Sequence, residues 1–158
     1  MRQVYLPAAA AAGNLQTTRT MALDYTSLLL AVGFTGGALA ITLLGAWWAA
    51  RDESFLLTWA VGIAFVVLGV PVFGLYAGRG EPWLAAVAFV LFTIGMATIH
   101  GAAAQFRLRT SPVWVSLQGS AIGIALCIAP ISAGYDAVGF MAFNTFSAAL
   151  LFATARQY

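Results

Sequence analysis

The sequence predicts an all-α integral membrane protein, a bundle of five transmembrane helices, and three observations carry that prediction. Hydrophobic residues make up 62% of the 158-residue chain and charged residues only 8%, where a soluble domain holds roughly 25% charged residues. The mean hydropathy is +0.92, so the chain lacks the polar side chains that a water-soluble fold of its size needs on its surface. Charges and Pro/Gly clusters then cut it into five apolar stretches, each close to the ~20 residues that cross a bilayer as a helix. Lipid offers the backbone no hydrogen-bond partner, so each stretch must satisfy its own amides by becoming helical.

The first helix is predicted over residues 25–50, after Asp24 as an N-cap and with no charge inside. The second, 55–77, follows "RDES" and ends at Gly78 and Gly80. Pro71 should kink it by removing one hydrogen bond and crowding the Val67 carbonyl. The third, 82–106, opens with Glu81-Pro82, and the fourth, 113–131, with Ser111-Pro112. Each pair places a capping residue before a proline at the first helical position, where a missing N–H costs nothing. Gly134 turns the chain into the fifth helix, 137–155. Trp47, Trp48, Tyr76, Trp83, Trp114 and Tyr135 fall near predicted helix ends, as an interfacial aromatic belt requires. The connections "RDES", "GRGE", "RLRTS" and "SAGYD" are too short for an extramembrane domain, so residues 21–158 form a single helical unit of antiparallel neighbours.

The arginines predict the orientation. Alternating the sides puts Arg51, Arg107, Arg109 and Arg156 together, against Arg2, Arg19 and Arg79 with the acidic Asp136 loop. The four-arginine side should be cytoplasmic, giving an outside N-terminus and an inside C-terminus in a multi-pass protein of the bacterial inner membrane. The margin of four to three becomes four to one if translation starts at Met21. Residues 1–20 lack the continuous apolar core of a secretory signal. They are expected to be a disordered extension or the product of a misplaced start codon. The net charge of +2 comes from dispersed arginines with no lysine, so no basic patch exists and no nucleic-acid partner is expected. The lipid bilayer is the partner the composition implies.

Few residues carry chemistry. His100 is the only histidine, about 9 Å of helix rise from Phe106. A bis-histidine haem needs a second histidine, and a zinc site needs three or four ligands. The predicted spans contain no carboxylate to help, so neither a cofactor nor a metal is expected, and His100 reads as an interhelical contact. Gln118 and Asn144 are the other notable polar residues, and amides in lipid should face protein. His100, Gln118 and Asn144 are therefore the candidate polar residues of the bundle interior. Cys127, the only cysteine, lies in an apolar run and reads as a packing residue. Gly33/Gly37 and Gly119/Gly123 form two GxxxG pairs, read as seams within the chain ahead of a homodimer through transmembrane helices. The sequence contains no Walker loop, GxSxG, HExxH or CxxC, and no enzyme activity is expected of it.

The stretches "LDYTSLLLAVGF", "WWAARDESFLLTWAVGIAFVVLGV", "GEPWLAAVAFVLFTIGMATIHGAAAQFRLRTSP" and "FNTFSAALLFATARQY" have an order and spacing of their own. From Met21 to Tyr158 the chain resembles the N-terminal multi-helix membrane region of bacterial GGDEF-type diguanylate cyclases. In such regions an aromatic- and arginine-terminated first helix leads through a short charged loop to a "FLLTWA"-like second helix. The third ends in an "A-x-x-x-F-R"-like exit, here Ala102 to Arg107. The resemblance implies a sensory or anchoring input module, placed before a cytoplasmic domain that makes cyclic di-GMP from two GTP. No GGDEF sequence occurs in this chain, so no catalytic residue is carried over and the expectation is of a truncated product. The competing expectation is a stand-alone small membrane protein, such as a transporter subunit or a cofactor-binding bundle.

Overall fold

The computed structural model describes the backbone of residues 8–108 and 112–156. These residues form five helices: α1 (Ala8–Ala49), α2 (Ser54–Arg79), α3 (Pro82–Leu108), α4 (Pro112–Ser132) and α5 (Asp136–Ala155). All five contain a stretch long and apolar enough to cross a membrane, at Ser27–Ala49, Ser54–Arg79, Pro82–Arg107, Trp114–Ser132 and Ala137–Ala155. The all-α, five-span architecture expected from hydropathy is therefore the one observed, and the chain is a multi-pass membrane protein.

The start of α1 differs from the expectation. The helix begins at Ala8, so residues 8–20 are helical where a disordered extension was expected, and Asp24 lies inside the helix instead of capping it. Hydropathy locates the membrane edge, not the helix end. The Ala8–Ala12 run continues the helix because alanine has the highest helix propensity.

The other boundaries follow local chemistry. Gly80 closes α2 in the left-handed region, at φ 68°, and its N–H reaches the Tyr76 carbonyl at 2.7 Å. After α4, Gly134 at φ 82° allows a double closure. Its N–H bonds the Ile131 carbonyl at 3.0 Å and the Tyr135 N–H bonds the Pro130 carbonyl at 2.9 Å, the paired pattern of a Schellman turn. Pro82 opens α3 as expected, but the Glu81 carboxylate accepts the Trp83 indole N–H at 2.6 Å instead of capping the backbone. The cap expected from Ser111 lies outside the described residues. Pro71 sits within a continuous α2, and Pro130 lies near the end of α4.

Helix α3 is the centre of the bundle, packed against α2, α4 and α5, while α1 packs on α2. The α2–α3 crossing is a backbone contact. A methyl group added at Gly95 would lie 2.7 Å from the Gly62 carbonyl oxygen, and one added at Gly62 would lie 2.9 Å from the Gly95 carbonyl oxygen. Without a hydrophobic drive between helices in lipid, such close approach gives the van der Waals contact that holds them. Gly119 and Gly123 of α4 rest on Ala97 and Thr93 of α3, as a packing seam should. Gly33 and Gly37 face open space and form no seam among the described residues of the single chain.

Toward the end of the bundle that holds the α2–α3 and α4–α5 connections, aromatic rings fill the gap between α2, α3 and α5. Phe89, only 2% exposed, places its ring centroid 4.9 Å from Phe140 and 5.1 Å from Phe143, with Phe73 and Phe92 at 6.2 and 6.4 Å. Tyr76, half-buried three residues before the end of α2, joins this cluster through Phe73 and Phe140. Trp48, Trp83, Trp114 and Tyr135 are exposed near helix ends, where a belt belongs. Cys127 is fully buried beside Phe89 and Ile131 as a packing residue.

Candidate functional site: a polar clasp at the arginine end

The end of the bundle that carries Arg51, Arg107 and Arg156 also gathers the side-chain hydrogen bonds that join one helix to another among the described residues. His100, on α3, places Nδ1 2.9 Å from the Thr154 hydroxyl of α5. The same hydroxyl lies 2.7 Å from the Leu150 carbonyl, to which it donates its single proton. Thr154 Oγ1 must then accept from His100, which fixes the neutral ring in the Nδ1–H tautomer and leaves Nε2 as an acceptor. The sequence reading of His100 as an interhelical contact thus acquires a partner and a direction.

A second connection joins α3 to α2. The Thr58 hydroxyl lies 3.0 Å from Gln105 Oε1, and the Gln105 amide donates to Ser54 Oγ at 2.6 Å. One turn deeper, the Trp59 indole N–H points at the Ile99 carbonyl at 3.3 Å. The Phe55 and Phe106 rings close the outer edge with centroids 4.8 Å apart. A third contact returns to α5, where Arg107 Nη1 donates to the Arg156 carbonyl at 2.9 Å. Arg51 folds back over Trp47 and Trp48, its guanidinium carbon 4.9 and 4.2 Å from their ring centroids. Helix α3 is therefore clasped on two sides, to the start of α2 and to the end of α5.

Of the three candidate residues, only His100 enters this clasp. Gln118 and Asn144 lie on exposed faces of α4 and α5 instead of in the interior of the single chain. The rule that amides in lipid face protein concerns the finished assembly, and one copy of the chain does not bury these two. Gln105, Thr58, Ser54 and Thr154 escaped the sequence reading. The signal available for two of them was the Ser54/Thr58 spacing of four, which places both hydroxyls on one face of α2. Nothing in sequence marks Thr154, 54 residues from its partner. Among the described residues, no three His, Cys, Asp or Glu side chains come together as a metal site would need.

The tie between α3 and α5 predicts a measurable cost. Thr154→Val keeps the shape and removes the acceptor, and should lower stability by about 1 kcal/mol, the ordinary worth of an interhelical hydrogen bond in membranes. Unfolding in mixed detergent micelles reads this. His100→Ala combined with Thr154→Val should cost less than the sum of the two single changes, because the pair shares one bond.

Fold and clasp define a multi-pass helical membrane protein with its polar machinery at one end. Set against known protein families, curated proteins and solved structures, the chain matches none.

Proposed function

We propose that the chain is a membrane-embedded sensory and anchoring module, similar to the input region of a cyclic di-GMP signalling protein, with its arginine end in the cytoplasm. The observation that supports this reading is the clasp. The last helix leaves the membrane bonded to the central helix at His100–Thr154 and at Arg107–Arg156. A change in packing anywhere along α3 is then felt at the end of α5, where a cytoplasmic output would join. Such a device needs a signal that prefers one packing of the bundle over another by a few kcal/mol. The gathering of Arg51, Arg107 and Arg156 at that end agrees with the positive-inside rule.

The test joins a GGDEF catalytic domain in frame after Tyr158 and measures cyclic di-GMP in cells. The reading expects membrane-localised synthesis whose level changes several-fold when Thr154→Val or Gln105→Leu loosens the clasp at unchanged protein abundance. Identical synthesis from the intact and loosened bundles would contradict it. Transport by the unfused chain in proteoliposomes, or a visible chromophore spectrum, would favour a stand-alone transporter or cofactor-binding bundle instead.

A further inference from the structure

Asn144 poses the sharpest physical problem in the molecule. It lies eight residues into α5, about 12 Å of helix rise from Asp136 and about 17 Å from Ala155. Both distances place its amide deep in the hydrocarbon. The residue is exposed on the outer surface of the bundle, and its side chain makes no hydrogen bond among the described residues. A carboxamide carries two donors and an accepting oxygen. It is too short to reach a headgroup from that depth, and lipid supplies no partner. The exposed hydroxyl one position on, Thr145, avoids the same penalty by donating to the Met141 carbonyl at 2.9 Å. Asn144 has no such internal solution.

The surface around it has a definite spacing. Ala137, Met141, Asn144, Ala148, Leu151 and Ala155 are all exposed and follow one another at intervals of four, three, four, three and four. Such intervals place them on one face of the helix, within an exposed surface that also holds Val138, Thr145, Ala149 and Phe152. The three alanines permit close approach of backbones, while Met141 and Leu151, 70% and 55% exposed, are the knobs between them.

We infer that α5 pairs with α5 of a second copy of this chain, with the two Asn144 amides hydrogen-bonded to each other at the centre of the seam. The occupant follows from the residues. Copies of one chain insert with the same topology, so their α5 helices meet in parallel and each position of the seam faces its own equivalent at the same depth. About a two-fold axis an amide is its own complement, since each Asn144 donates to the oxygen of the other. Within the chain α5 packs on α3 and α4, and on the α2 rings through Phe140, with Phe140 and Phe143 as half-buried positions outside this stripe. The inference rests on α5 alone and stands whether or not the bundle has a signalling role.

Single cysteines test it in a Cys127→Ala background, with the full chain in bilayers. Ala148→Cys, one turn from Asn144 on the seam, should form a disulfide dimer on mild oxidation. Ile41→Cys on the exposed face of α1 and Leu126→Cys on α4 should not. Adding Asn144→Leu should leave the monomer folded, because the side chain touches no polar group of its own chain, and should weaken dimerisation on the order of 10-fold, as loss of paired interhelical hydrogen bonds does. Energy transfer between labelled copies, titrated against lipid dilution, reads that shift, and Asn144→Gln should restore much of the loss. Equal cross-linking at positions 41 and 148, or dimerisation unchanged by Asn144→Leu, would overturn the inference. A monomer at every lipid dilution would overturn it too.

Discussion

Gly95→Leu should unfold the α2–α3 crossing and stand among the costliest single changes in this chain. A Cβ at Gly95 meets the Gly62 carbonyl oxygen at 2.7 Å and the Val66 amide nitrogen at 3.0 Å. These are backbone atoms of a regular helix and cannot rotate aside as a side chain end can. The helices must therefore separate, and the loss extends over the interface between the central helix and its neighbour. Overpacking of a well-filled core costs roughly 1–3 kcal/mol for added methylenes, occasionally more. Gly95→Ala should fall in that range, and Gly95→Leu at or above its top. The matched control is Gly37→Ala, where nothing lies within 4 Å of the added methyl. There the higher helix propensity of alanine makes the change neutral or stabilising. Thermal unfolding in detergent, followed by loss of helical circular dichroism or by aggregation, separates the two.

The second large effect is expected at Phe89→Ala. Its ring is buried and lies edge-on or tilted against Phe73, Phe92, Phe140 and Phe143. Removing it opens a cavity where α2, α3 and α5 meet. In water-soluble cores the change costs about 3–5 kcal/mol. Lipid is as apolar as the core, so the part that reflects transfer from water shrinks and the packing part remains. A loss of about 3 kcal/mol, at the low end of that range, is the expected value. Phe34→Ala on α1, where the ring is 77% exposed, should change stability little. Equal losses at positions 89 and 34 would mean that the aromatic cluster is not the core of the bundle.

These two positions show what the sequence made legible. Hydropathy and punctuation located all five spans, because the cost of an unpaired backbone in lipid leaves little freedom in how an apolar stretch folds. Gly80, Gly134 and Pro82 marked helix ends through backbone geometry, which is local and therefore readable. Interhelical partners are not local. A GxxxG pair identifies a helix that can be approached closely but not the face that is approached. Hence Gly33 and Gly37 drew attention while Gly62 and Gly95, isolated in their own helices, make the tightest crossing. The same holds for the clasp. His100 stood out as the only histidine, yet Thr154 and Gln105 became visible only once the helices were placed. Asn144 and Gln118 were expected inside because polarity in a membrane calls for a partner. That demand is sound physics, and for Asn144 it points to a partner beyond the single chain.

Five membrane crossings, with the clasp and its arginines on the proposed cytoplasmic side, can be tested together. The most direct measurement is the accessibility of single cysteines to a membrane-impermeant maleimide, in cells carrying the Cys127→Ala chain. Cysteines at Gly78 and Ala133, both exposed and beside the α2–α3 and α4–α5 connections, should react from outside in intact cells. Cysteines at Asp52 and Arg156, both exposed at the arginine end, should react only after the membrane is opened. The reverse pattern would invert the orientation and place the clasp outside the cytoplasm. Reaction of all four from outside would contradict the five crossings themselves.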